Sequence, residues 1–244
     1  QLSLDELATA APVDELDLSR FESFFLRLKE LSLTQVQLSL ETILNNMNLA
    51  KNGFLTLGGL LLFGKNVQAF KPFCIIRAIH FYTTEINDEA FIDKMDCTGT
   101  LEEQFQSARL FLKRNLRHMQ KEQSFNSPGY LEIDSMALEE VLVNALIHRD
   151  YSKNAVIRLF IFKDRVQIIS PGSLPNHLTV DNVINGNSVM RNVILASYGT
   201  KILPYTGIGS GIPRILKLHP ETTIENDKEG EQFTITLKRP PLPF

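Results

Sequence analysis

Apolar residues recur along this chain with two different periods, and the periods divide it into elements. Near the N-terminus, leucines and phenylalanines at helical spacing predict a helix from about Leu18 to Leu31, after a loop broken by Pro12 and several aspartates. Val36, Leu38, Leu40, Ile43, Leu44 and Met47 continue that period through residues 34–51, with Lys51-Asn52-Gly53 read as the stop. Thr56 is placed to cap a short buried helix that Gly64 ends. "FCIIRAIHFYTT" is rich in β-branched and aromatic residues and reads as a strand. "GTLEEQFQSARLFLKRNLRHM" reads as an amphipathic helix capped by Thr100, with basic residues at its C-terminal end. After Pro128-Gly129, "NAVIRLFIF" and "RVQIIS" flank Lys163-Asp164 as a hairpin, and an irregular stretch follows from Pro171 to about Met190. A helix is expected from Arg191 to about Tyr198, then a glycine-rich loop entering another helix, then a last hairpin from "ETTIEND" and "EQFTITLKR". The fold expected is α+β, with helices on one face of a mostly antiparallel sheet. Its divisions are an N-terminal segment 1–33, an α+β connecting region 34–127 and a sandwich domain 128–244.

One helix breaks the pattern. In "EEVLVNALIHRDY", Glu140, Asn144 and His148 interrupt an apolar run at intervals of four. A helix turns roughly 100° per residue, so the three side chains share a single arc of roughly 80°. The remaining circumference is Leu138, Val141, Leu142, Val143, Ala145, Leu146 and Ile147, with Glu139 near the helix start. A narrow polar seam between apolar flanks suits one wall of a ligand cleft. It equally suits a set of structural hydrogen bonds.

The second candidate is "TGIGSGIPRILKLH", where Gly207, Gly209 and Gly211 alternate just before an apolar-periodic helix. Glycines at that density imply a tight turn or a close approach, and free amides at the helix start would donate to phosphate oxygens. No G-x-x-x-x-G-K-S/T loop occurs anywhere in the chain, which excludes a P-loop motor. The preceding "KILPYT" makes a poor parallel strand, so this is not a dinucleotide-binding βαβ unit either.

Composition narrows the partners. The 244 residues carry a formal net charge of -3 with 43% hydrophobic residues, the balance of a soluble globular protein without a global basic field. Two isolated cysteines, Cys74 and Cys97, fit a reducing cytoplasm and neither a zinc site nor a disulfide scaffold. No apolar run approaches the roughly 18 residues that span a bilayer, so no membrane partner is expected. The chain opens on Gln1 with no Met and reads as a piece of a longer protein.

In order, these pieces resemble the nucleotide-binding fold of the GHKL superfamily, which includes gyrase-type topoisomerases, mismatch-repair ATPases, heat-shock chaperones and histidine kinases. "EVLVNALIH" resembles its E-x-x-x-N box and "GIGSG" its last glycine box. More narrowly, "ALEEVLVNALIHRDYS", "VQIISPGSLP" and "GSGIPRI" resemble a bacterial and archaeal family of transcriptional regulators, often labelled helicase-related, that carries an N-terminal AlbA/Schlafen-like domain. The likeness runs over residues 34–239. It implies a GHKL (Bergerat-type) sandwich that binds ATP and Mg²⁺, with Asn144 holding the metal and Glu140 polarising the attacking water. Gly207, Gly209 and Gly211 would let backbone amides reach phosphates, and Gly172 would sit against the purine. Arg149 would add positive charge, or else pair with Asp150, and His148 follows the box at the helix end. Apart from the resemblance, Arg191 at the start of its own helix has no evident structural need and is a candidate phosphate contact. Ser170 stands where that superfamily has an adenine-reading Asp, and a hydroxyl accepts more weakly than a carboxylate. Residues 174–206 would form a mobile lid. DNA binding would belong to an upstream domain, and a homo-oligomer is expected. Two other readings stand beside this one. The first is a non-catalytic GHKL-fold module for dimerisation or effector binding. The second is direct DNA contact by residues 34–64, against which the apolar "TLGGLLLFG" argues.

Overall fold

Local capping explains most of the helix boundaries in the computed structural model, which describes residues 2–87, 89–119, 129–204 and 210–241. β1 (Ala8–Pro12) leads into α1 (Leu18–Lys29), whose first turn is capped by the Asp17 carboxylate accepting from Arg20 N. α2 (Leu40–Asn46) is shorter than the 34–51 periodicity predicts, because Ser39 starts a new cap there and Asn48 turns left-handed after it. Lys51-Asn52-Gly53 is not a helix stop. Asn52 and Gly53 both have positive φ and make the tight hairpin turn between β2 (Ala50–Lys51) and β3 (Phe54–Thr56). Thr56 then caps α3 (Leu57–Phe63) through Gly59 N, and Gly64 follows its last residue.

α4 (Val67–Phe70), β4 (Ile76–Phe81), β5 (Phe91–Cys97) and α5 (Leu101–Asn115) come next, with Thr100 capping α5. β6 (His118–Met119) and β7 (Tyr130–Leu131) form a small ladder ahead of α6 (Ser135–His148). β8 (Ile157–Ile161) and β9 (Arg165–Pro171) are the expected hairpin. The stretch read as irregular contains α7 (Val180–Ile184), started by a Thr179–Asn182 capping box. The helix expected from Arg191 to about Tyr198 is present as a helical run over 193–202, whose middle, Leu195–Gly199, is π-helical and runs into α8 (Thr200–Ile202). α9 (Gly211–Leu218), β10 (Thr222–Asp227) and β11 (Gln232–Lys238) complete the described chain.

Six strands join in the order β10-β11-β9-β8-β4-β5, antiparallel except where β4 pairs with β8. This is an α+β fold with a mixed sheet flanked by helices, consistent with a GHKL-like sandwich. The sheet runs across the expected division at position 128, since β4 and β5 precede it and β8 to β11 follow. Ile157, Leu159, Ile161, Val166, Ile168, Ile235 and Leu237 alternate along their strands toward the helices and belong to one core with α6. On the other side of the sheet, Phe81, Phe160 and Phe162 make a separate aromatic cluster.

α6 is apolar on nearly every side and lies inside the molecule, so its C-terminal carbonyls cannot rely on water. Tyr151 Oη donates to Leu146 O at 2.6 Å, and Asn192 Nδ2 donates to Ile147 O and Arg149 O at 2.9 Å each. Tyr151 is a core residue, as expected, and its hydroxyl is also a helix cap. Replacing it with Phe keeps the ring and strips the Leu146 carbonyl of this donor. Tyr151→Phe is therefore expected to cost about 1–3 kcal/mol, read as a fall of about 2–4 °C in Tm per kcal/mol in thermal unfolding.

Candidate functional site

The end of α6, the end of β9 and the start of α9 enclose a cleft of about 720 Å³, counted to its open mouth. Asn144 and His148 line one wall, Ser170 and Gly172 lie at the strand end, and Gly211 and Ile212 open α9. The residues after β9 fold over it through Leu174, Leu178, Val183, Asn187, Val189 and Arg191. No Asp or Glu is among the described lining residues, whereas two arginines are.

Several of the lining polar side chains have no hydrogen-bond partner among the described residues, the Asn144 amide, the His148 ring and the Ser170 hydroxyl among them; Ser170 is only 7% exposed. Burial next to Arg191 pushes the His148 imidazole down to about 4, so the ring is neutral at physiological pH. A neutral ring carries one N–H donor and one acceptor nitrogen.

Gly172 holds the strand end open to the cleft. Its φ is +97°, and a Cβ there would meet Asp150 Cβ at 2.4 Å and Arg191 Nη1 at 2.5 Å. Only glycine fits both conditions. Its amide donates to Glu231 O at 2.6 Å, and Asp150 N donates to Pro171 O at 2.8 Å, which fixes the turn against α6.

The two arginines differ. Arg149 is 2% exposed, and its guanidinium donates to the carbonyls of Phe73, Lys153 and Ala155 while lying 4.7 Å over the Tyr151 ring. It borders the cleft, but its donors serve backbone rather than Asp150 or the open space. Arg191 Nη2 donates to Ser173 O at 2.6 Å and Nη1 approaches His148 O at 3.5 Å. Burial pushes its pKa down and Asp150 opposes that.

Glu140 does not line the cleft. Its side chain is 4% exposed and accepts from Arg214 Nη1 at 3.1 Å, and its Oε2 lies 3.5 Å from where a Gly211 Cβ would stand. The carboxylate thus sits behind the start of α9. Gly207 and Gly209 lie outside the described residues. Among the predicted residues, the structure brings Asn144, His148, Arg149, Ser170, Gly172, Arg191 and Gly211 to one cleft and sets Glu140 beside it.

Three contributors carry no periodic signal. Asn192 is 1% exposed and caps α6 from a position next to Arg191. Asp5 is fully buried, and its carboxylate accepts from Leu195 N at 2.9 Å, although burial pushes its pKa up. Arg214 is the one with a usable sign. A cation in the first turn of a helix opposes the dipole and implies a carboxylate nearby.

Residues 154–237 match a family model described as "Putative ATP-dependent DNA helicase recG C-terminal". That stretch contains β8, β9, the fold over the cleft, α9, β10 and most of β11. By this match the stretch is similar to an ATPase-like module. α6, with Glu140, Asn144 and His148, lies outside the matched residues. No curated protein matches the chain. Among solved structures, the DIP2311 protein from Corynebacterium diphtheriae superposes with a TM-score of 0.74 at 20% identity, over 98% of this chain and 48% of that one. At that identity the likeness is one of fold, and this chain spans about half the length of that protein. No helix among the described residues is long and apolar enough to cross a membrane.

The depressed His148 pKa has a measurable consequence. Between pH 6.5 and about 4 the unfolded chain binds a proton at His148 that the folded one refuses, so stability falls as pH drops through that window. One proton limits the slope to about 1.4 kcal/mol per pH unit. His148→Gln is expected to flatten the difference between urea midpoints at pH 7.0 and 5.0, and an unchanged difference would contradict the buried neutral ring.

Proposed function

We propose that the cleft binds ATP with Mg²⁺, as the nucleotide-binding module of a DNA-linked transcriptional regulator. The observation that carries the reading is the convergence of Asn144, His148 and Ser170, all without partners among the described residues, on one cleft with no described carboxylate in its lining, beside Arg191 and the first residue of α9. The matched ATPase-like family supports the same ligand class. Phosphates suit the Arg191 and Gly211 side, where a cation and a helix start both favour anions. The Leu174, Leu178, Val183 and Phe233 side suits the flat apolar body of a base.

The metal fits on a condition. The described residues include no cluster of three or more His, Cys, Asp or Glu that could hold an ion. The Asn144 amide oxygen would supply one ligand and the nucleotide phosphates and water the rest, a usual arrangement for Mg²⁺. Bound there, the ion would neutralise phosphate charge. In this proposal Glu140, beside the start of α9, would be the carboxylate that polarises the attacking water, and Gly207 and Gly209 would complete the phosphate loop. The family description supports a link to DNA, while the net charge of -3 gives the chain no broad basic field for the contact. Helicase motor activity is not part of the proposal, because the chain lacks a P-loop. Residues 174–206 acting as a lid, a cytoplasmic location and a homo-oligomeric regulator belong to the same reading.

The ion pair favours a second reading, in which the module binds nucleotide without hydrolysing it. The Glu140 carboxylate accepts from Arg214 at 3.1 Å, so one of its oxygens is already engaged by a guanidinium. Titration calorimetry separates the outcomes. ATP with Mg²⁺ is expected to bind below millimolar concentration, and Asn144→Ala to weaken the Mg²⁺-dependent part at least about tenfold, the loss of one well-made charged contact. No heat at millimolar nucleotide would sink the proposal. If the wild type turns ATP over, Glu140→Gln should slow it by about 10²–10⁴; binding without turnover would establish the second reading.

A further inference from the structure

Within that nucleotide reading, on which it rests, we infer that the cleft accepts purine nucleotides with either a 6-amino or a 6-oxo group, and that Ser170 sets this tolerance. ATP and GTP would then both be ligands.

Ser170 lies on β9 and is paired in register with Phe233 of β11, and both side chains face the helices and line the cleft. Ser170 is 7% exposed and Phe233 8%, so the hydroxyl stands on an apolar floor with little water around it. Leu174, Leu178, Val183 and Ile212 surround the same space. A planar ring gains most by lying among these side chains, since its faces are apolar and its edge is polar. The polar group it meets on the sheet floor is the Ser170 hydroxyl, which has no partner among the described residues and is free to rotate.

Donor and acceptor chemistry does the rest. A hydroxyl donates one hydrogen and accepts through two lone pairs, so it serves a 6-amino group by accepting and a 6-oxo group by donating. A carboxylate only accepts. At this depth it would favour the amino ring and leave its charge opposite the lone pairs of an oxo ring, which rejects a ligand far more strongly than a missing contact does. The other uncharged polar side chains of the cleft, Asn144, Asn187, Ser173 and Ser188, also both donate and accept. No described lining side chain is restricted to accepting.

The test compares ATP, GTP and inosine triphosphate by titration calorimetry on the 244-residue chain with Mg²⁺. Inosine triphosphate differs from ATP only at the 6-substituent and the adjoining ring nitrogen, so it isolates the position Ser170 would read. The expected result is three dissociation constants within about fivefold, the spread that neutral hydrogen bonds allow. Ser170→Asp is expected to open a gap of about 10–100-fold in favour of ATP, the range for gaining a charged partner on one side. Ser170→Ala should weaken all three equally. Because a buried Asp could unfold the domain, the wild-type comparison decides by itself. An ATP preference above about thirtyfold over inosine triphosphate would overturn the inference while leaving nucleotide binding intact. Failure of all three to bind would remove the nucleotide reading beneath it.

Discussion

The buried carbonyls at the C-terminal end of α6, left without helical partners, are the constraint around which the site is built. A helix leaves its last four carbonyls without partners, and α6 ends inside the molecule, where each unmet group costs about as much as a lost hydrogen bond. The donors come from elsewhere in the chain. Tyr151 follows directly and reaches back to Leu146, while Asn192 returns from more than forty positions away to serve Ile147 and Arg149. Once Asn192 is fixed there, Arg191 must lie beside His148 and Ser173, and the chain between β9 and Asn192 has to arch over the strand end. The roof of the cleft is thus a consequence of capping the helix that forms its wall. Asp5 extends the same logic, since its carboxylate holds Leu195 N at the start of the π-helical turn and so anchors the far side of Asn192.

Charge is distributed around this frame in a particular way. The cleft has cations and neutral polar groups but no described carboxylate in its lining, and the nearby Glu140 pairs with Arg214. A partly buried ion pair contributes little net stability, because desolvation offsets most of the attraction, yet removal of one partner strands the other. Its significance here is positional. Arg214 sits in the first turn of α9, against the helix dipole, and Glu140 offsets that cost beside the cleft.

Features governed by neighbours in sequence were legible and those governed by distant partners were not. Thr56 and Gly64 around α3, Thr100 before α5, and Lys163-Asp164 between β8 and β9 are local signals, and the elements lie where those signals put them. Lys51-Asn52-Gly53 misled because a turn with two positive φ values ends a helical pattern and makes a hairpin with the same residues. α7 escaped notice inside a run of Asn, Gly and Pro, since five residues offer barely one helical turn of periodicity. The seam of Glu140, Asn144 and His148 was visible because a period of four on an apolar helix is conspicuous. That Glu140 would pair with Arg214 was not, because helix geometry fixes an arc and the packing of α6 on α9 decides what the arc faces.

The extent of the family match bears on what the working unit is. Residues 154–237 supply four contiguous strands of the six, the strand end at Ser170 and Gly172, and the roof of the cleft. They supply neither α6 nor β4. Alone, such a segment would leave β8 with an unpaired edge where β4 binds it in parallel, and would leave the cleft without the wall that holds Asn144 and His148. It would also contain Asn192 with no helix end to cap. The hydrogen bonds from Asn192 to Ile147 and Arg149 therefore tie the matched module to the preceding helix, and the sheet ties it to residues earlier still. The smallest piece able to form this cleft must reach back at least to β4, which makes the region before position 128 part of the site's structure and not a spacer ahead of it.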